Sequence, residues 1–255
     1  MLKILAIGNS FSQDATACLE ELAGKGGIET EAVNLYIGGC SLATHWHNAQ
    51  NDLAAYEYQR KGIGVGRKVS IREALREKSW DVVTLQQFSG DSGLWKTYQP
   101  YLGELSGYVR KYAPGARQMF HETWAYEIGS ANPAFEKYGK NQQVMYRMLR
   151  AACRRAAAAV DAGFIPCGDA IQALRALPQF DSRHGGLSLC RDGSHLDLNY
   201  GRFAAAAVWY ETVLKGNILE NPFAPGGGFS ADENLLGLIR RTVHEVCGRP
   251  VPPGA

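Results

Sequence analysis

Three residues in this chain have the types and placement for nucleophilic chemistry at a carbonyl: Ser10, Asp192 and His195. Asp192 and His195 stand three apart in Arg191-Asp192-Gly193-Ser194-His195-Leu196. Within a single turn that spacing puts both side chains on one side of the backbone, so the carboxylate reaches the imidazole. An aspartate accepting from Nδ1–H fixes the tautomer and stabilises the imidazolium, leaving Nε2 free to take a proton from a serine. Taken singly, each has a plainer explanation. A serine after a turn often caps a helix, and Asp-Gly often makes a turn beside an exposed histidine. Together they fall in the chain order Ser, Asp, His, one of the orders this constellation uses. The G-x-S-x-G elbow is absent, because position 12 is serine.

The element that must position Ser10 is the apolar run Leu2 to Ile7, which reads as a buried parallel strand. Gly8-Asn9 ends it with residues that favour turns. Apolar residues recur at helical spacing from about Ser12 to Lys25. Ser10 therefore falls between a strand's C-terminal end and a helix N-terminus. Open α/β sheets bind ligands there, and free backbone N–H groups there favour negative charge.

Further strands are expected at Glu29 to Ile37, Trp80 to Gln86, Ala116 to His121 and Phe164 to Pro166. Helices are expected near Leu42 to Leu53, Ile71 to Ser79, Tyr98 to Tyr112, Phe135 to Ala162, Asp169 to Leu177, Leu198 to Leu214 and Leu235 to Val246. Tyr56 to Ser70 reads as a hairpin or an irregular excursion. Alternating strands and helices imply a mostly parallel sheet of about five strands with helices on both faces. No internal repeat or linker divides the chain, so residues 1–255 read as one domain with a mobile tail at 249–255.

Composition narrows the function classes. A net charge of +2 over 255 residues does not suit a nucleic-acid or membrane-surface binder. No apolar run reaches transmembrane length. Strand-like sequence begins at Leu2, so no signal peptide is visible. The expected location is cytoplasmic, or secreted or periplasmic if a leader has been trimmed. The six cysteines form no C-x-x-C pair, which argues against zinc ribbons and thioredoxin-type chemistry.

Other residues carry less. His45 and His47 lack a nearby third metal ligand, but they follow the Gly38-Gly39 turn and so are candidates, with Trp46, for lining a pocket. Trp95, Trp124 and Tyr126 follow strand ends and suit either an apolar or sugar-stacking wall or the core. Gly62 to Ser70, GIGVGRKVS, fails the phosphate-loop pattern.

Gly8-Asn9-Ser10 resembles the G-D-S block of the SGNH (GDSL-type) hydrolases, with Asn9 in place of aspartate. Asp192-Gly193-Ser194-His195 is similar to that superfamily's terminal D-x-x-H block. Asn34 to Gly39 is similar to its glycine block, with Gly39 matching the oxyanion-hole glycine. The combination GNSFS, YIGGCSLATHW, WDVVTLQQ and DGSHL most resembles a bacterial branch known chiefly as a domain of unknown function. The resemblance implies a three-layer flavodoxin-like fold and serine ester hydrolysis. One block departs. The superfamily's G-x-N-D asparagine, an oxyanion donor, has no counterpart in Gln86-Gln87-Phe88-Ser89-Gly90-Asp91, where alignment puts Gly90 at its position. A glutamine amide offers the same N–H, so Gln87 is the expected third donor, with Gln86 and then Ser89 as alternatives.

The expectation is a serine esterase that removes a small acyl group from a carbohydrate-like or other small alcohol. Ser10 is the nucleophile, His195 the base and Asp192 its orienter. Ser10, Gly39 and Gln87 or Gln86 hold the oxyanion, and Asn9, His45, Trp46 and Trp124 border the substrate. No metal or organic cofactor is required, and neither nucleic acid nor membrane is an expected partner. Two rivals remain: an acyltransferase with the same triad, and a non-catalytic carbohydrate-binding module on a hydrolase scaffold.

Overall fold

A computed structural model of the chain describes residues 1–226 and 228–248; the tail expected to be mobile lies outside them. Among the described residues, seven strands form one sheet: β1 (Leu2–Gly8), β2 (Thr30–Tyr36), β3 (Tyr56–Arg60), β4 (Ile63–Val69), β5 (Val82–Leu85), β6 (Arg117–His121) and β7 (Gly163–Ile165). Their order across the sheet is β4-β3-β2-β1-β5-β6-β7. The five strands β2, β1, β5, β6 and β7 are mutually parallel. The chain leaves β1 to one side for β2 and later to the other for β5. β1 is therefore the topological switch point, where such sheets open a crevice at their C-terminal edge.

Helices cover both faces: α1 (Ser10–Thr16), α2 (Leu19–Lys25), α3 (Leu42–Gln50), α4 (Ile71–Glu77), α5 (Tyr101–Tyr112), α6 (Gln142–Ala159), α7 (Cys167–Arg175), α8 (Tyr200–Thr212) and α9 (Glu233–Gly248). Successive residues of a strand point to opposite faces, and β1 shows the result. Ile4 and Ala6 enter the core under α1, α2, α7, α8 and α9, whereas Leu5 and Ile7 enter the core under α3, α4 and α5. In α8, Ala204 to Ala207 are fully buried, and these small side chains let the helix lie close against its neighbours.

One alternative left open by the sequence resolves to a hairpin, and two helices differ from the expectation. The stretch at Tyr56–Val69 is a true hairpin that pairs antiparallel with β2 and widens the sheet from five strands to seven. Its two-residue turn, Lys61-Gly62, has both φ angles positive (51° and 72°), as a type I′ turn requires. The helix expected over residues 12–25 is two helices that meet at Ala17 and Cys18. The first begins at Ser10 itself. Within Phe135 to Ala162 the helix occupies only Gln142–Ala159, because the left-handed Gly139 ends a 3-10 turn and the Asn141 side chain caps a new helix. All six cysteines are free. No helix among the described residues is long and apolar enough to cross a membrane.

Candidate active site

Ser10 opens α1, and Asn9 holds it in place. The Asn9 side-chain oxygen accepts from Phe11 N (2.9 Å) and from Gln86 Nε2 (2.7 Å), while its amide donates to Cys40 O (3.1 Å). An aspartate at position 9 would still accept but would have no N–H for Cys40. The Asn9 amide thus ties the Ser10 turn to the Gly38-Gly39-Cys40 turn after β2. Ser12 Oγ accepts from Asn9 N (3.0 Å) and donates to Asn34 Oδ1 (2.7 Å). Gly8 is required beneath this turn, because a Cβ there would stand 2.0 Å from Ser12 Oγ.

Asp192 and His195 lie on a loop closed at its base by a bridge between Cys190 and Leu196. One carboxylate oxygen of Asp192 accepts from Ser194 N (2.9 Å) and His195 N (2.7 Å); the other lies 2.6 Å from His195 Nδ1. Partial burial works against the charged carboxylate. The hydrogen bonds from the His195 backbone and side chain and from Ser194 outweigh it and hold Asp192 well below the usual carboxylate range. His195 Nε2 lies 2.9 Å from Ser10 Oγ, so the imidazole spans the aspartate and the serine.

Two residues that suited either a pocket wall or the core both belong to the core, and one of them fixes this loop from outside. Trp124 Nε1 donates to Ser194 O at 2.8 Å, and its fully buried ring stacks on Phe11 with centroids 4.2 Å apart. Trp124 is therefore a support for the loop rather than a substrate wall. Tyr126 is also fully buried, with its hydroxyl 2.9 Å from Ser89 Oγ. The neighbouring Glu127 N donates to Gly193 O (2.8 Å).

The other pocket expectations are corrected too. Asn9 is 1% exposed and acts from beneath the site. His45 is fully buried with Nδ1 2.9 Å from Tyr56 Oη, and burial pushes its pKa down to about 3, so it is a neutral core residue. Trp46 packs edge-on against Tyr108 of α5, which takes it into the helical layer.

The glutamines are also committed elsewhere. Gln87 Nε2 donates to Thr97 O (3.0 Å) and Thr97 Oγ1 (2.9 Å), and its Oε1 accepts from Leu42 N and Phe88 N (both 2.9 Å). It is a 1% exposed staple between loops, with no free N–H for an oxyanion. Gln86 is likewise buried. Besides Asn9 it contacts His121 Nδ1 through Oε1 (2.9 Å), which places it behind the Ser10 turn. Gly90 has no room for the missing asparagine, because a Cβ there would meet Ala134 Cβ at 2.5 Å and the Phe88 ring at 2.6 Å. Ser10 N and Gly39 N, by contrast, enter no hydrogen bond among the described residues. Gly39 holds a left-handed φ of +64°, a conformation glycine adopts without penalty.

The sequence from residue 3 to residue 239 matches the family model described as a domain of unknown function, DUF4886. This chain belongs to the DUF4886 family. A DUF4886 protein from Bacteroides uniformis is 37% identical to it over 96% of this chain and 94% of its own, with a TM-score of 0.87. More distant structures share the fold. A putative SGNH hydrolase from Slackia heliotrinireducens is 24% identical over 83% of this chain and 98% of its own (TM-score 0.57). A lipase/acylhydrolase from Enterococcus faecalis is 15% identical over 82% and 93% (TM-score 0.52). The DUF4886 chain thus has the three-layer α/β fold of SGNH hydrolases. No functionally curated protein matches its sequence.

The environment of Asp192 makes a pH prediction. A carboxylate whose folded pKa is depressed keeps its charge above the ordinary value of about 3.9 and loses it only as pH falls through the lower folded value. Asp192 thus stays ionised across the range in which an imidazole base titrates. The acid limb of log kcat/KM for ester turnover should rise with unit slope and show no second ionisation above about pH 4. A limb of slope two in that range would contradict the assignment of Asp192 as a permanently charged orienter.

Proposed function

We propose that this DUF4886 chain is a serine ester hydrolase that removes a small acyl group from a carbohydrate-like or other small alcohol. The observation that carries the reading is the unbroken contact from Asp192 through His195 to Ser10, at 2.6 Å and 2.9 Å. In the first half-reaction Ser10 Oγ attacks the ester carbonyl while His195 Nε2 takes its proton. The tetrahedral intermediate collapses as the imidazolium protonates the leaving alcohol, and an acyl-serine remains. Water then attacks with the same base and releases the acid. Asp192 holds the ring in the Nδ1–H tautomer throughout. The N–H groups of Ser10 and Gly39 are the proposed oxyanion donors, each worth roughly 3 kcal/mol of barrier. The side-chain amide expected from Gln87 is not among them.

Phe88 supports a small acyl group. Its ring stands 3.7 Å from where a Gly39 Cβ would lie and 2.6 Å from where a Gly90 Cβ would lie. It therefore fills space beside the oxyanion turn that a longer chain would need. Just before that turn in the chain, Tyr36 and Ile37 help line a cavity of about 410 Å³, together with Ala55, Glu57, Arg67 and Lys68. The Tyr36 hydroxyl lies against Gly38, 3.3 Å from a Cβ built there. An aromatic ring flanked by polar groups of both signs suits a neutral polyhydroxylated alcohol.

The test is a fluorophosphonate probe followed by peptide mapping. The proposal predicts one adduct per chain, on Ser10, absent in His195→Ala. No adduct under conditions that label a control esterase would contradict it and favour a binding module on a hydrolase scaffold.

Acyl-chain selectivity tests the assignment of Phe88. Phe88→Ala should shift the kcat/KM ratio of hexanoyl to acetyl 4-nitrophenyl esters at least tenfold towards hexanoyl, about the worth of one or two methylenes newly accommodated. An unchanged ratio would place the acyl group elsewhere.

A further inference from the structure

We infer that Asp14 is a positioning residue that locks the acid–base loop onto the helix of the nucleophile and so sets the distance from His195 to Ser10. The inference rests on the hydrolase reading above for its catalytic consequence, but not for the contact itself. Asp14 lies one turn beyond Ser10 on α1 and is fully buried. A buried carboxylate is costly unless it is paired and hydrogen-bonded. Here every partner comes from the segment that carries the base or from the helix that follows it. Arg191 Nη1 lies 3.0 Å from Oδ1 and 3.1 Å from Oδ2, and Leu196 N donates to Oδ2 at 3.0 Å. Arg202 of α8 contacts Oδ1 through Nε and Nη2, each at 2.9 Å. Arg191 Nη1 also donates to Leu196 O.

Asp14 thus grips both ends of the 191–196 loop, with His195 between the gripped residues. Trp124 and Glu127 hold the loop's carbonyls at Ser194 and Gly193 from another side. Neither of these belongs to the element that carries Ser10. Asp14 is a charged, hydrogen-bonded link from that element to the loop, alongside the Ser10–His195 contact and the Phe11 ring, whose centroid lies 5.9 Å from that of His195. Two arginines on one buried carboxylate exceed what a simple cap needs, and removing the carboxylate leaves their charges uncompensated. A base displaced by about 1 Å from its nucleophile can cost a hundredfold in rate.

Asp14→Asn keeps the shape and removes the charge. Its test has two readouts, with Val243→Ala in the buried face of α9 as a control that lowers stability far from the site. The first is hydrogen exchange of the 190–196 amides, which does not depend on turnover. Exchange there should accelerate at least tenfold in Asp14→Asn while β1 stays unchanged, and should not change selectively in Val243→Ala. The second is ester turnover below the melting transition, where kcat per folded molecule should fall about 30-fold or more with KM within threefold. If Asp14→Asn does not fold, Arg191→Gln releases one end of the loop and leaves the Asp14–Arg202 pair; its kcat should fall about fivefold to tenfold. Wild-type exchange in the loop together with wild-type kcat, in whichever variant folds, overturns the inference. Loosened exchange in a protein whose wild type turns over no ester would uphold the clamp and overturn the hydrolase reading.

Discussion

The contact of 2.9 Å between Ser10 Oγ and His195 Nε2 joins residues 185 positions apart in the chain, and the rest of the site serves to maintain it. Two rigid pieces must meet there. One is the C-terminal end of β1 with the first turn of α1; the other is the loop closed by the bridge between Cys190 and Leu196. Neither is stiff from secondary structure alone. The first gains its rigidity from Asn9 and Ser12, which satisfy the turn's backbone groups. The second gains it from Asp192, which accepts from the two following amides.

This arrangement puts many polar groups under low exposure, and an unpaired one would cost about 1–3 kcal/mol each. The site meets the cost by making each side chain serve two loops. Asn9 accepts from α1 and from Gln86 while donating to Cys40. Gln87 links Leu42 to Thr97. Asn34 contacts both Ser12 and Gln59, so the hairpin that extends the sheet is coupled to the Ser10 turn. Side chains held from two directions in this way favour one geometry. The same engagement commits both N–H groups of the Gln87 amide to Thr97 and leaves none for a further acceptor.

Much of this was legible in the sequence where the signal is local. The apolar run at Leu2–Ile7, the turn residues after it and the three-residue spacing of Asp192 and His195 each have a direct geometric meaning, and the fold follows from alternating strands and helices. The hairpin at 56–69 was harder to read, because its outer strand is solvent-exposed and carries Gly64 and Gly66, which weakens the period-two signal. What sequence could not show was which polar residues are spent on one another. Gln87 and Asn34 look equally available on paper, and only tertiary contacts reveal their partners. His45 and Trp124 looked like pocket walls because they follow strand ends, but the depth of the helical layers buries both. Asp14 left one trace, an acidic residue one turn from Ser10 among buried helix positions, which requires a partner elsewhere.

The central claim is that Ser10 and His195 act as a single unit, and a double-mutant cycle tests it most directly. Turnover of an activated acetyl ester is measured for the wild type, Ser10→Ala, His195→Ala and the double variant, with folding verified for each. Residues that act on the same bond-making step are strongly non-additive. The account predicts that each single substitution lowers kcat by about 10⁴-fold or more and that the double variant is no slower than the worse of the two. Losses that multiply in the double variant, or a single variant with near wild-type turnover, would contradict it.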